Sequence, residues 1–251
     1  MTAAVIAEPA APVPASGHRP LRTAVLVAKV TVHELSRRRG ALILALLLPL
    51  TFYLARVDTH WTALRLLSIG LGWAAATLTL FTSVSSRSID LRLAASGASP
   101  TALVLGRHAA VLGLGWIIAA LYSALVLLTI GHRLTHPAAV PLMLLLTVTV
   151  AAPLGSVAAA LVPRDLEGAL LLLAVMALQL LVDPAAAWTR VLPLWSTREL
   201  SSYIVEALGA QAGDYLWRGL LHGVGFAVGL VVLTWLLGVW RLRVIRLPDP
   251  Q

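Results

Sequence analysis

Six runs of this chain contain no Asp, Glu, Lys or Arg: Gly40–Ala55, Leu66–Val84, Ala109–Ile130, Val140–Val162, Gly168–Val182 and Gly219–Trp240. A helix pairs its own backbone and can therefore cross hydrocarbon, which has no water to satisfy an open N–H or C=O. Crossing takes about 20 residues, within a range of roughly 17–25. Four runs meet that length, while the first and fifth have 16 and 15 residues. The first reaches Val57 if Arg56 snorkels its guanidinium to the interface. The fifth reaches further only if Asp183 enters the membrane. The expectation is an all-α polytopic domain over 21–243, with spans at about 40–57, 64–84, 109–130, 140–162, 168–184 and 219–240.

Composition carries the same message. Hydrophobic residues make up 59% of the 251 positions and charged ones 12%, against roughly 45–50% and 25% in soluble domains. A chain this short has too little interior to hide that much apolar surface, so the bilayer acts as its solvent. The net charge of +8 is spread over the ends of the apolar runs. It reads as orientation and headgroup contact rather than nucleic-acid binding. With the N-terminus inside, thirteen basic residues fall on the cytoplasmic side and six outside. That bias places both termini in the cytoplasm of a cell-membrane protein.

The segments between the runs differ in kind. Residues 1–20 are rich in Ala and Pro and read as a disordered tail, and 244–251 as a short cytoplasmic one. Leu21–Ser36 reads as an amphipathic helix in the membrane interface. Leu21, Val25, Ala28, Val32 and Leu35 form its apolar stripe, and Arg22, Lys29, His33 and Ser36 the opposite face, with Glu34 near the end. Between spans two and three lies a polar cytoplasmic loop with a turn at Gly97–Pro100. Between spans five and six lies a long, partly apolar external segment, expected to fold back on the membrane as short helices. Pro49, Pro141 and Pro153 fall inside runs and are expected to bend them.

Several chemistries are excluded. Lys29 sits in Val-Leu-Val-Ala-Lys-Val, without the glycines of a phosphate-binding loop, so the chain has no such ATP site of its own. No His-Glu-x-x-His pair occurs, and Ser156 after Gly155 lacks the second glycine of a nucleophile elbow. There are no cysteines. No metal-ligand cluster of histidines lies within one predicted helix, so neither a metal nor a catalytic residue is assigned.

The order of elements is distinctive. Glu34-Leu-Ser-Arg-Arg-Arg-Gly40 leads from the amphipathic helix into the first span. Arg87-Ser-Ile-Asp-Leu-Arg-Leu-Ala-Ala-Ser-Gly-Ala-Ser-Pro-Thr-Ala-Leu-Val-Leu-Gly-Arg107 precedes the third, Leu161-Val-Pro-Arg-Asp-Leu-Glu167 follows the fourth, and Leu192-Pro-Leu-Trp195 precedes the sixth. This resembles the membrane (permease) subunit of type-2 ABC transporters, over about Leu21 to Arg243. Arg92, Leu93, Ser99, Pro100, Gly106 and Arg107 match the cadence of that family's loop between spans two and three. Where the family often carries a glutamate before the loop arginine, this chain has Ser85 and Ser86, with Asp90 the nearest acid.

The resemblance implies a permease of an ATP-driven exporter, without enzymatic activity of its own. A separate ATP-binding cassette subunit would hold ATP and magnesium, and two permeases, identical or not, would form the pathway in membrane lipid. Arg87, Asp90, Leu91, Arg92, Ser99 and Pro100 would make the coupling helix that receives the ATPase's motion. Lys29, His33 and Glu34 on the interfacial helix would brace that contact. Spans two and five would face the dimer axis. Thr77, Thr79, Gln179 and Asp183 are the pathway candidates, as polar groups in or at the ends of apolar spans. The plain reading of Ser68, Gly72, Ala76 and Ser83 is close packing through small residues. A secondary transporter or a non-catalytic scaffold is the alternative, and a membrane-embedded enzyme a third class.

Overall fold

The computed structural model describes residues 19–162, 164–182 and 186–243, and among them there are helices and no strands. The helices are α1 (Arg19–Arg37), α2 (Arg39–Leu54), α3 (His60–Ser85), α4 (Arg87–Ala95), α5 (Pro100–Ile130), α6 (Ala139–Leu161), α7 (Asp165–Leu181), α8 (Ser196–Val205) and α9 (Ala212–Arg241). Short 3-10 turns lie at Gly131–Arg133, Ala187–Val191 and Gly209–Gln211. Of these, α3, α5, α6 and α9 are long and apolar enough to cross a membrane. The apolar helices α2 and α7 have 16 and 17 residues. At 1.5 Å per residue they are about 24 and 25 Å long, against a hydrocarbon core of ~30 Å.

Helix α3 is the hub: 72% of its apolar window is buried, against 11% for the peripheral α9. Small residues put it there. A Cβ on Gly155 of α6 would run into the carbonyl oxygen of Ala76, and one on Gly72 would lie 2.7 Å from the Leu194 side chain. Ser68 and Ala76 are fully buried. In lipid, apolar side chains gain little by leaving their solvent, so close backbone approach is what joins such helices. The face read from Ser68, Gly72 and Ala76 is thus a packing surface. Its hydroxyls cost nothing, because Ser68, Thr79 and Thr82 donate to Leu64 O, Ala75 O and Leu78 O at 2.7–2.8 Å.

The three prolines have different settings. Beside Pro49 the Tyr122 hydroxyl donates to Leu46 O, and Tyr53 Oη lies 2.5 Å from Thr129 Oγ1, so α5 fastens α2. At Pro153 the Thr234 hydroxyl of α9 donates to the Pro153 carbonyl at 3.1 Å. Pro141 was expected to bend a span, but α6 begins at Ala139. Pro141 therefore sits in the first turn, where an N–H has no helical partner to lose.

Helix α1 begins at Arg19, two residues before its expected start, and packs along the first half of α5. A Cβ on Gly106 would strike the backbone of Ala24. The stripe facing the protein is Ala24, Val27, Ala28, Thr31 and Leu35, of which Thr31 and Leu35 are buried. The expected apolar stripe is therefore split, because Leu21, Val25 and Val32 stay 70%, 47% and 45% exposed. Of that stripe, Ala28 and Leu35 face the protein. The tails at 1–18 and 244–251 lie outside the described residues.

The long segment after α7 folds onto the bundle. Helix α8 packs on α9, α3 and α6 and buries Leu200 and Ile204. The α5–α6 loop caps its C-terminus. Thr135 and His136 N–H both donate to Ile204 O at 2.9 and 3.0 Å, and Thr135 Oγ1 donates to Val205 O. The His136 ring stacks on Tyr203 with centroids 4.2 Å apart.

Candidate functional site

Between α3 and α5 the chain must reverse within a few residues, and it does so with α4. Gly97 ends that helix with φ +97°, a left-handed conformation that glycine adopts without strain. Ala98 N–H bonds Leu93 O at 2.9 Å and Gly97 N–H bonds Ala94 O at 3.1 Å, the paired bonds of a Schellman motif. Ser99 then runs extended and Pro100 opens α5 at a position suited to proline. The turn expected at Gly97–Pro100 is present, although Ser99 makes no side-chain cap.

No residue of α4 is buried. Ile89, Leu91 and Leu93 are 49%, 45% and 38% exposed. Polar ties hold the helix in place of apolar packing. Arg87 donates to Ala159 O and, at 2.9 Å, to Val162 O, both at the end of α6. A helical partner for Ala159 O would come from residue 163, which is a proline without an N–H. Arg87 thus fills a vacancy the sequence itself creates. Burial and the nearby Arg241 guanidinium hold Arg87 below its ordinary pKa, while Asp165 pulls it back up. Asp90 takes Ser86 Oγ at 3.0 Å and Arg107 Nη2 of α5 at 2.5 Å, with both ionic side chains nearly enclosed. Arg107 Nη1 lies 3.5 Å from Thr31 Oγ1 of α1. One short helix is therefore tied to α6, α5 and, through Arg107, α1.

The expected coupling residues divide in two. Arg87 and Asp90 face the bundle, whereas Leu91 and Arg92 are exposed. On α1, Lys29 and His33 are exposed and Glu34 half-buried. Of the pathway candidates, Thr77, Thr79 and Gln179 do not come together. Thr79 is buried, bonded to its own helix, and lines a cavity behind α4. Thr77 lies with Trp73 and Phe81 in a separate apolar groove against Ala45 and Leu48 of α2, of about 40 Å³. Neither Thr77 Oγ1 nor Trp73 Nε1 has a hydrogen-bond partner there. Gln179 is buried and committed: its Oε1 accepts from Leu194 N–H at 2.8 Å and its carbonyl from Arg65 Nη2 at 2.7 Å. Asp183 lies outside the described residues. Among the described residues no three His, Asp or Glu side chains converge on a metal position.

Two polar centres were given no site role by the sequence. One is Arg107 with its neighbour His108, which line the cavity behind α4 together. The other is Glu199 of α8, buried between Arg218 Nε at 3.0 Å and Arg198 Nη1 at 3.5 Å. Burial raises the Glu199 pKa, and Arg218, Arg198 and Arg190 partly offset it. The folded form then holds a proton over a window in which the unfolded chain has released it. Stability contributed at this site is greatest at low pH and falls as pH rises from about 4.5 through the folded pKa. Wild type and Glu199→Gln are expected to have similar thermal midpoints at low pH, and wild type to fall increasingly below the variant as pH rises through that window. A difference flat in pH contradicts the assignment.

No protein-family model and no curated protein matches this chain.

Proposed function

We propose that this chain is the permease subunit of an ATP-driven exporter, working as a dimer with a separate ATP-binding subunit. Its topology in this reading is six spans, with the short α2 and α7 as the first and fifth and both termini cytoplasmic. The exposed Leu21, Val25 and Val32 of α1 then meet lipid. The observation that carries the reading is α4, which shows Ile89 and Leu93 to the outside, while its polar ties run inward to α6 and α5 and Leu91 turns to the cavity behind it. A helix with no buried residue gains nothing for its own fold by carrying Ile89 and Leu93. A partner surface accounts for them, and the exposed Arg92 beside them supplies charge for its rim. A push on α4 reaches α6 through Arg87 and α5 through Asp90 and Arg107.

The test is co-expression with the products of the adjacent reading frames, among which the proposal requires a soluble P-loop protein. The wild-type chain is expected to retain it through purification, and Ile89→Asp with Leu93→Asp to cut retention about tenfold or more, as loss of a buried apolar anchor does. Failure of the wild type to retain a P-loop partner, or full retention by the double variant, overturns the proposal.

A further inference from the structure

Behind α4, a cavity of about 110 Å³ opens between α3, α5, α6 and α9. It has a charged mouth and an apolar depth. Three guanidinium groups, Arg87, Arg107 and Arg241, line it together with one carboxylate, Asp90. That leaves two positive charges in excess among them, and Asp165 acts on Arg87 from beside it. Arg241 makes no hydrogen bond or ion pair among the described residues and is exposed. Along α9 the lining runs from Leu242 in to Thr234, about 12 Å at 1.5 Å per residue.

Its wall also holds groups that lack partners. His108 is 93% buried (7% exposed), lines the cavity and has no partner for either ring nitrogen, and Arg107 Nε is likewise buried and unpaired. Buried polar atoms left this way are costly, and native proteins rarely leave several in one place without a ligand or water to meet them. A bare inorganic anion would answer the charge but leave the apolar depth empty. A neutral apolar molecule would fill the depth and leave the polar atoms unmet.

We infer that this cavity binds a phosphate-bearing anionic amphiphile, its headgroup on Arg241, Arg107 and His108 and its chain against Val104 and Leu237. Basic pockets between membrane helices recognise anionic headgroups by this combination of charge and enclosure. The site needs no ATPase and stands apart from the exporter reading.

The experiment uses the full-length protein, delipidated in neutral detergent. Dioleoyl phosphatidylglycerol, dioleoyl phosphatidylcholine and inorganic phosphate are the probes, read by native mass spectrometry and thermal shift. Phosphatidylglycerol is expected to be held at least about tenfold more tightly than phosphatidylcholine, the scale of one charge-assisted hydrogen bond. Arg241→Gln removes a charge at the mouth, and Ala160→Trp fills the cavity while leaving every charge in place. Both residues are exposed, so the thermal midpoint without lipid should hold, and both variants should erase the preference. Arg243→Gln, exposed and outside the cavity, should keep it. A shift from inorganic phosphate alone, lost in Arg241→Gln and without lipid retention, assigns the anion site to free phosphate and overturns the amphiphile. Equal loss in Arg241→Gln and Arg243→Gln means diffuse surface attraction and overturns the site. No preference for the anionic lipid means that the cavity holds water alone, and overturns it too.

Discussion

If this chain is the proposed permease, replacing Arg87 with methionine is expected to leave the protein folded and the ATP-binding partner docked, and to cut transport at least about tenfold while ATP hydrolysis continues. Methionine keeps the unbranched stem of the side chain but donates nothing to Ala159 O and Val162 O, the two carbonyls that Arg87 now serves. A hydrogen bond from a charged donor contributes about 1.5–3 kcal/mol, which corresponds to roughly ten- to a hundredfold in an equilibrium. The loss falls on the link between α4 and α6. The outward face of Ile89, Arg92 and Leu93 is untouched, so docking should persist. Arg92→Met is the complement: it should weaken docking and leave whatever complex forms fully coupled. Transport in Arg87→Met that keeps pace with hydrolysis, as in wild type, sinks the idea that motion passes through this residue. Loss of docking in the same variant moves Arg87 to the partner surface.

The second large effect is on assembly of the bundle. Gly155→Val is expected to destabilise the protein by about 3 kcal/mol, the upper part of the range for overpacking. The obstacle is the backbone carbonyl of Ala76, which no rotamer change can move aside. At roughly 2–4 °C per kcal/mol for a chain of this size, the thermal midpoint should fall by roughly 6–12 °C. Gly229→Val in α9, where nothing lies within 4 Å of the added Cβ, serves as the control and should shift little. Similar losses at both positions would mean that helix propensity, not the α3–α6 contact, sets the cost.

The sequence reveals helices better than it reveals their partners. Long charge-free runs announce α3, α5, α6 and α9, because exclusion of charge is a property of each segment alone. The small residues of α3 announce close packing for the same reason, and Gly97 with Pro100 announces a turn. Which faces meet is another matter. The α1 stripe reads as an interfacial face, and Leu21, Val25 and Val32 do stay exposed, but that Ala24 closes on Gly106 of α5 is decided only by the α5 surface. Asp90 could be flagged as an acid in a basic loop, but its pairing with Arg107 needs the reversal at Gly97 to bring two helices side by side. Gln179 reads as a polar group in a span and so as a pathway lining. In the structure its side chain fastens the returning backbone at Leu194, a role that depends on a segment fifteen residues away. Glu199 gave no signal, because a glutamate in an external segment is ordinarily solvated.

Helix α5 has a mechanical consequence for the whole molecule. At 31 residues it is a rod about 46 Å long, well beyond the hydrocarbon thickness of ~30 Å. Near its first end Arg107 grips Asp90. Just past its last end Thr135 and His136 grip the final turn of α8. A rod fastened at both tips and pressed against α6 between them behaves as a seesaw. Displacing one tip swings the other the opposite way, so the two mouths of the bundle are geared to each other, and α8 should be pulled as α4 is pushed.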